Sequence, residues 1–176
     1  YHTNVLLAVL AGRAALVHPG GVDAPELIPA LEALYPGGVV ELTDAILNAS
    51  EDGEEDTSAS LYARLHAYCD SIAAAGRDHP FLWETLADFT GDDHIAIEYY
   101  IHALMFASAA QAISYEASIY LALAERHSNL DDIAAARGHA LRADALAQRT
   151  DDLPLRQAIS QFLLAHAQAT NEDRAG

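Results

Sequence analysis

The chain has 176 residues, with 26 Asp and Glu against nine Arg, no Lys and a formal charge of −17. A field of that sign excludes DNA, RNA and anionic membrane surfaces, which are bound through clustered bases. Without lysine there is no P-loop lysine and no Schiff-base chemistry. Ala contributes 37 residues and Leu 23, and no Val follows Val40. That balance predicts an all-α chain and argues against a β-sandwich or barrel. Cys69 is the single cysteine, so no intrachain disulfide and no Cys-based zinc site can form. A cytoplasmic address follows as the expectation.

The first residue is Tyr1 rather than Met, which leaves room for a preceding segment. The apolar run Val5 to Val17 is interrupted by Arg13 and too short to span a bilayer, so it reads as a core helix over 3–17. His18-Pro19-Gly20-Gly21 ends it. Asp23 caps a second helix with Leu27, Leu31 and Leu34 on one face. After Pro36-Gly37-Gly38, a third helix carries Val39, Leu42, Ile46 and Leu47. Residues 23–49 therefore read as a helical hairpin. Glu51 to Asp56 spells EDGEED, and five acids in six residues predict a solvated loop over 51–57.

Thr57 or Ser58 is positioned to cap a helix bearing Leu61, Leu65, Tyr68 and Ile72. His79-Pro80 opens a short helix with Trp83 and Leu86. Helices then follow over about 93–110, 113–127, 131–148 and 154–170, with 171–176 frayed. The chain thus reads as one all-α domain of about eight or nine helices, with an N-terminal part over 1–50 and helical hairpins over 58–170.

The stretch from Trp83 to Leu104 resembles a tetratricopeptide repeat (TPR). Trp83, Leu86 and Ala87 match the first-helix positions, Gly91-Asp92 the turn, and Ala96, Tyr100 and Ala103 the second helix. A second match has Tyr120, Leu123 and Ala124, then Ile133, Ala136, Ala140 and Ala143, displaced by 37 to 40 residues. The resemblance covers roughly residues 80–170 and implies a TPR-like stack of hairpins. It implies a concave groove along the first helices, near Glu84, Asp88, Glu125 and Asn129. Acids there, with no lysine, do not suit a partner's C-terminal carboxylate. The function implied is a non-catalytic adaptor that binds a protein or peptide, basic or apolar, with no cofactor. A homodimer is compatible with the Ala-rich helix surfaces.

A second resemblance runs over 61–106, where His79-Pro80-Phe81, Leu86, Gly91 and Tyr99-Tyr100 are similar to the heme-oxygenase-like group of thiaminases and di-iron oxidases. It implies a small helical metalloenzyme or ligand-binding protein, with Glu98, His102, Glu116, Glu125, His139 and Asp144 as candidate ligands. Independently, His94, Glu98 and His102 sit four apart on one helical stripe and could supply two or three metal ligands. The competing reading of that stripe is the solvent face of a packed helix.

Overall fold

A computed structural model of the chain describes residues 39–76 and 79–172. The helices expected over 3–17 and 23–35 lie outside the described residues. The described residues form seven helices and no strand. They fall into two compact units that divide between Asp78 and His79, where a single domain was expected.

The first unit contains α1 (Val39–Glu51) and α2 (Glu55–Ala74), packed as a hairpin. Val39, Leu42, Ile46 and Ala49 are buried along one stripe of α1, and Leu65, Cys69 and Ile72 along one stripe of α2. The acidic run is not a loop. Glu51 ends α1, Glu55 and Asp56 begin α2, and three residues make the turn. Acids in a first turn face the positive end of the helix dipole, which offsets their mutual repulsion. Gly53, at φ 74°, makes the reversal. Thr57 and Ser58 are therefore inside α2, and Ser58 Oγ instead meets Ser50 Oγ across the turn at 3.1 Å.

The second unit contains α3 (Pro80–Asp88), α4 (Asp93–Ala109), α5 (Ile113–Asn129), α6 (Ile133–Ala147) and α7 (Leu153–Glu172). Each packs on the next in chain order. Pro80 stands at the start of α3, where its missing N–H costs nothing. His79 caps that helix by accepting the Phe81 amide at Nδ1, 3.1 Å away. Asp92 caps α4 through the His94 and Ile95 amides. Asp132 caps α6 through the Ala135 amide.

From α4 onward the helices begin at residues 93, 113, 133 and 153, a constant step of twenty. The buried stripe of α4 is Ala96, Tyr100, Ala103 and Ala107; that of α6 is Ala136, Ala140, Ala143 and Ala147, the same positions shifted by forty. Alanine at these sites lets helix axes approach closely. The turns repeat as well. The amide of Ala112 donates to Ala107 O, and that of Asp132 to His127 O, both at 2.9 Å. Gln111 and Asp131 take the left-handed conformation in these two turns, at φ 53° and 58°. The α1–α2 turn has the same form, with the Glu54 amide on Ala49 O at 2.8 Å.

One core cluster joins three helices: Ala117 and Leu121 of α5, Ala143 and Ala147 of α6, and Ile159 of α7. Leu155, Phe162 and Leu163 pack around it. Arg126 fastens the end of α5 to the α3–α4 turn. Its guanidinium donates to Asp93 Oδ1 at 2.8 Å and to Ala87 O at 3.1 Å. The second bond adds a side-chain donor to a carbonyl that already accepts the Thr90 amide at the end of α3.

Candidate functional site

The groove expected along the first helices of the hairpins is not an open face. Helix α3 buries seven of its nine residues, and α5 buries eight. Glu84 is 2% exposed, and the Ser118 hydroxyl donates to its Oε1 at 2.8 Å. It is therefore a core carboxylate that links α3 to α5, and no partner reaches it. Asp88 is half-buried and accepts the Tyr100 hydroxyl. Asn129 is exposed and donates to Asp93. Glu125 is exposed. The hydrogen bond from Arg126 is the main reason that the Asp93 carboxyl lies below its ordinary range. The four expected groove residues thus do not share one surface: Glu84 is internal, and Asp88 and Asn129 are engaged at the α3–α4 corner.

The stripe His94, Glu98 and His102 divides in the same way. His94 and Glu98 are exposed. The His102 ring lies 4.3 Å from Trp83 and 5.2 Å from Phe106, edge-on to both, within an aromatic cluster. Asp144 accepts Gln148 Nε2 one turn along α6. His139 packs between the rings of His127 and Tyr120, at 5.1 and 5.8 Å. Its Nδ1 is buried without a hydrogen-bond partner. Burial first, then the positive charges of His127 and Arg142, push its pKa below the ordinary histidine value. Among the described residues, no three His, Cys, Asp or Glu side chains converge as a metal-binding group. Burial also pushes the Cys69 thiol up to about 12, so it is no nucleophile at neutral pH.

An apolar groove of about 240 Å³ lies between α6 and α7. Ile133, Arg137 and Leu141 form the α6 wall, spaced by four residues and so on one stripe. Phe162, Leu163, His166 and Ala167 form the α7 wall. Ile133 and Leu141, on the same wall, are 40% and 51% exposed, so two large apolar side chains of one stripe are open to solvent. Leu153 and Leu164 add exposed apolar surface on α7.

The α7 wall is held in place. The His166 ring stacks on Phe162 at 4.0 Å. Its Nδ1 lies 2.8 Å from Phe162 O, and its Nε2 lies 2.8 Å from Ser128 Oγ. A carbonyl only accepts, so Nδ1 donates to Phe162 O, and the contact of Nε2 with the serine hydroxyl fixes the ring to both α5 and α7. The groove offers apolar contact and one cation, and no acid–base pair lines it.

The groove residues escaped the sequence reading because no motif marks them. The available signals were the Ile133–Arg137–Leu141 stripe, whose two apolar members point away from the Ala stripe of the same helix, and the Phe162–His166 pair at a spacing of four. Among the described residues, no helix is long and apolar enough to cross a membrane. The chain matches no family model, no curated protein and no solved structure.

Proposed function

We propose that the chain is a TPR-like helical-repeat adaptor that binds a protein or peptide without catalysing a reaction, through the groove between α6 and α7. The observation that carries this reading is the exposure of Ile133 and Leu141 opposite a Phe162–His166 wall already fixed by hydrogen bonds. A pre-ordered apolar surface loses little side-chain entropy when a ligand covers it. Of the two expected partner types, apolar and basic, the groove favours the apolar one. Of the acids that motivated a basic partner, Glu84 is internal, Asp88 is engaged by Tyr100, and Glu125 alone is exposed. A cytoplasmic address belongs to the same proposal.

The test is selection from a displayed peptide library against the full chain, with the Leu141→Glu variant as counter-selection. Leu141 is exposed, so the substitution leaves the fold intact while placing a charge in the groove. Peptides with an apolar consensus that bind the parent chain and lose roughly tenfold or more on the variant support the reading. Failure to enrich any such sequence, with the folded protein verified by circular dichroism, removes it.

A further inference from the structure

The seam between α5 and α6 holds a stack of side chains drawn from the two helices in turn. Tyr120 and His127 are seven residues apart on α5. Asp132 and His139 are seven apart at the start of α6, with Arg142 one turn further on. A spacing of seven is two helical turns, so each pair lies on one face. The hairpin brings the two faces together in antiparallel order. Asp132 Oδ2 lies 3.6 Å from His127 Nδ1. The His127 ring stacks on His139 at 5.1 Å and 23°. His139 stacks on Tyr120 at 5.8 Å and 26°. The Arg142 guanidinium lies over the Tyr120 ring, 5.7 Å from its centre.

A proton is received differently along this stack. On His127 it faces Asp132, whose other oxygen is anchored on the Ala135 amide. On His139 it faces His127 from α5 and Arg142 from its own helix, with Asp132 the one acid acting on it among the described residues. From α7, the His166 ring meets Ser128, the neighbour of His127. His139 Nδ1 is buried with no hydrogen-bond partner. A neutral ring can leave that nitrogen as a bare lone pair. A charged ring places an N–H there with nothing to accept it. A partly buried charge without a partner is costly. Burial, His127 and Arg142 accordingly hold the His139 pKa below its ordinary 6.5.

We infer that this stack is a proton-sensitive clasp, closed while His139 is neutral and released along the α5–α6 seam when His139 is charged. Ala136, Ala140 and Ala143 beside it are fully buried, so release exposes the close helix contact itself. The open seam takes a proton more readily than the closed one. The clasp is therefore complete above about pH 6.5 and weakens as pH falls from there through the pKa of the closed form. Its operation does not depend on what the α6–α7 groove binds.

The test is hydrogen exchange of the full chain, read by mass spectrometry at about pH 7.5 and about pH 5, with each rate corrected for the intrinsic pH dependence of amide exchange. Peptides from 113–147 report the seam, and those from 80–88 report the α3 cap separately. Opening of the seam is expected to rise roughly tenfold on acidification, the factor that one pH unit of linkage supplies. His139→Phe keeps a ring in the stack and removes the titrating nitrogens, so it is expected to abolish the rise. Arg142→Gln, at an exposed position, removes one facing charge and is expected to shrink it. Arg142→Gln decides the matter alone if His139→Phe does not fold. A parent seam that opens equally at both pH values overturns the clasp. So does a rise kept at full size in Arg142→Gln or in folded His139→Phe.

Discussion

His79 caps α3 in a way that depends on its protonation state. Its Nδ1 accepts the Phe81 amide, and burial holds its pKa below the ordinary value of 6.5. A protonated ring cannot accept at Nδ1, so the neutral form is the one that caps α3. The unfolded chain takes the proton first as pH falls. Stability from this residue is therefore complete above about pH 6.5 and is lost as pH falls from there through the folded pKa. A cap of this kind contributes about 1 kcal/mol. Thermal melts between pH 7.5 and 5 on the parent and His79→Asn should show it. Asn keeps a capping oxygen and does not titrate, so its melting temperature should fall less steeply on acidification. Parallel profiles would mean that the cap is not pH-sensitive. The sequence announced this residue only through the His79-Pro80 pair. It gave no sign that Glu84 would be a core group, because the Ser118 that bonds it lies 34 residues away and nothing local links the two.

At the scale of elements, most helix boundaries were readable to within about two residues; the helix expected from 93 begins there, and the one expected from 131 begins at Ile133. Asp92 and Asp132 do cap their helices, as acids before an apolar run predict. The α4–α5 boundary was legible as well, with helices expected over 93–110 and from 113, but the backbone conformation that makes the turn was not. Gln111 makes a left-handed turn that sequence reading expects from Gly or Asn. A non-glycine residue there costs about 1–2 kcal/mol of backbone strain. Glycine relieves it but loses about 0.5–1 kcal/mol of that gain to unfolded-chain entropy. Gln111→Gly should therefore stabilise the chain by about 0.5 kcal/mol in urea titrations. Asp131→Gly should be closer to neutral, since Asp tolerates this conformation better. Equal destabilisation by both would show that the side chains, not the backbone, hold these turns. The EDGEED run misled for a related reason. Charge density argues for a loop, yet Glu55 and Asp56 sit where the helix dipole welcomes them.

At the scale of the whole molecule, the charge of −17 opposes compaction, since like charges on a folded surface are closer than on an open chain. Added salt screens that repulsion. Raising sodium chloride from about 0.02 to about 0.5 M should raise the melting temperature by about 2–4 °C, the shift that follows from about 1 kcal/mol in a chain of this size. A flat response, also in sodium sulfate, would place the excess acids too far apart to matter. The fold class was evident from composition alone. The apolar groove between α6 and α7 was not, because it joins residues about thirty apart that no periodicity connects. The constant step of twenty has a further consequence for how this unit can be edited. Removing forty residues, 113–152, would join the α4 turn directly to α7 with every chain direction preserved. Removing twenty would reverse each helix beyond the cut. Growth and loss in this half of the chain are therefore quantised in pairs of helices, and a duplication of one pair would lengthen the stack without altering the packing on either side.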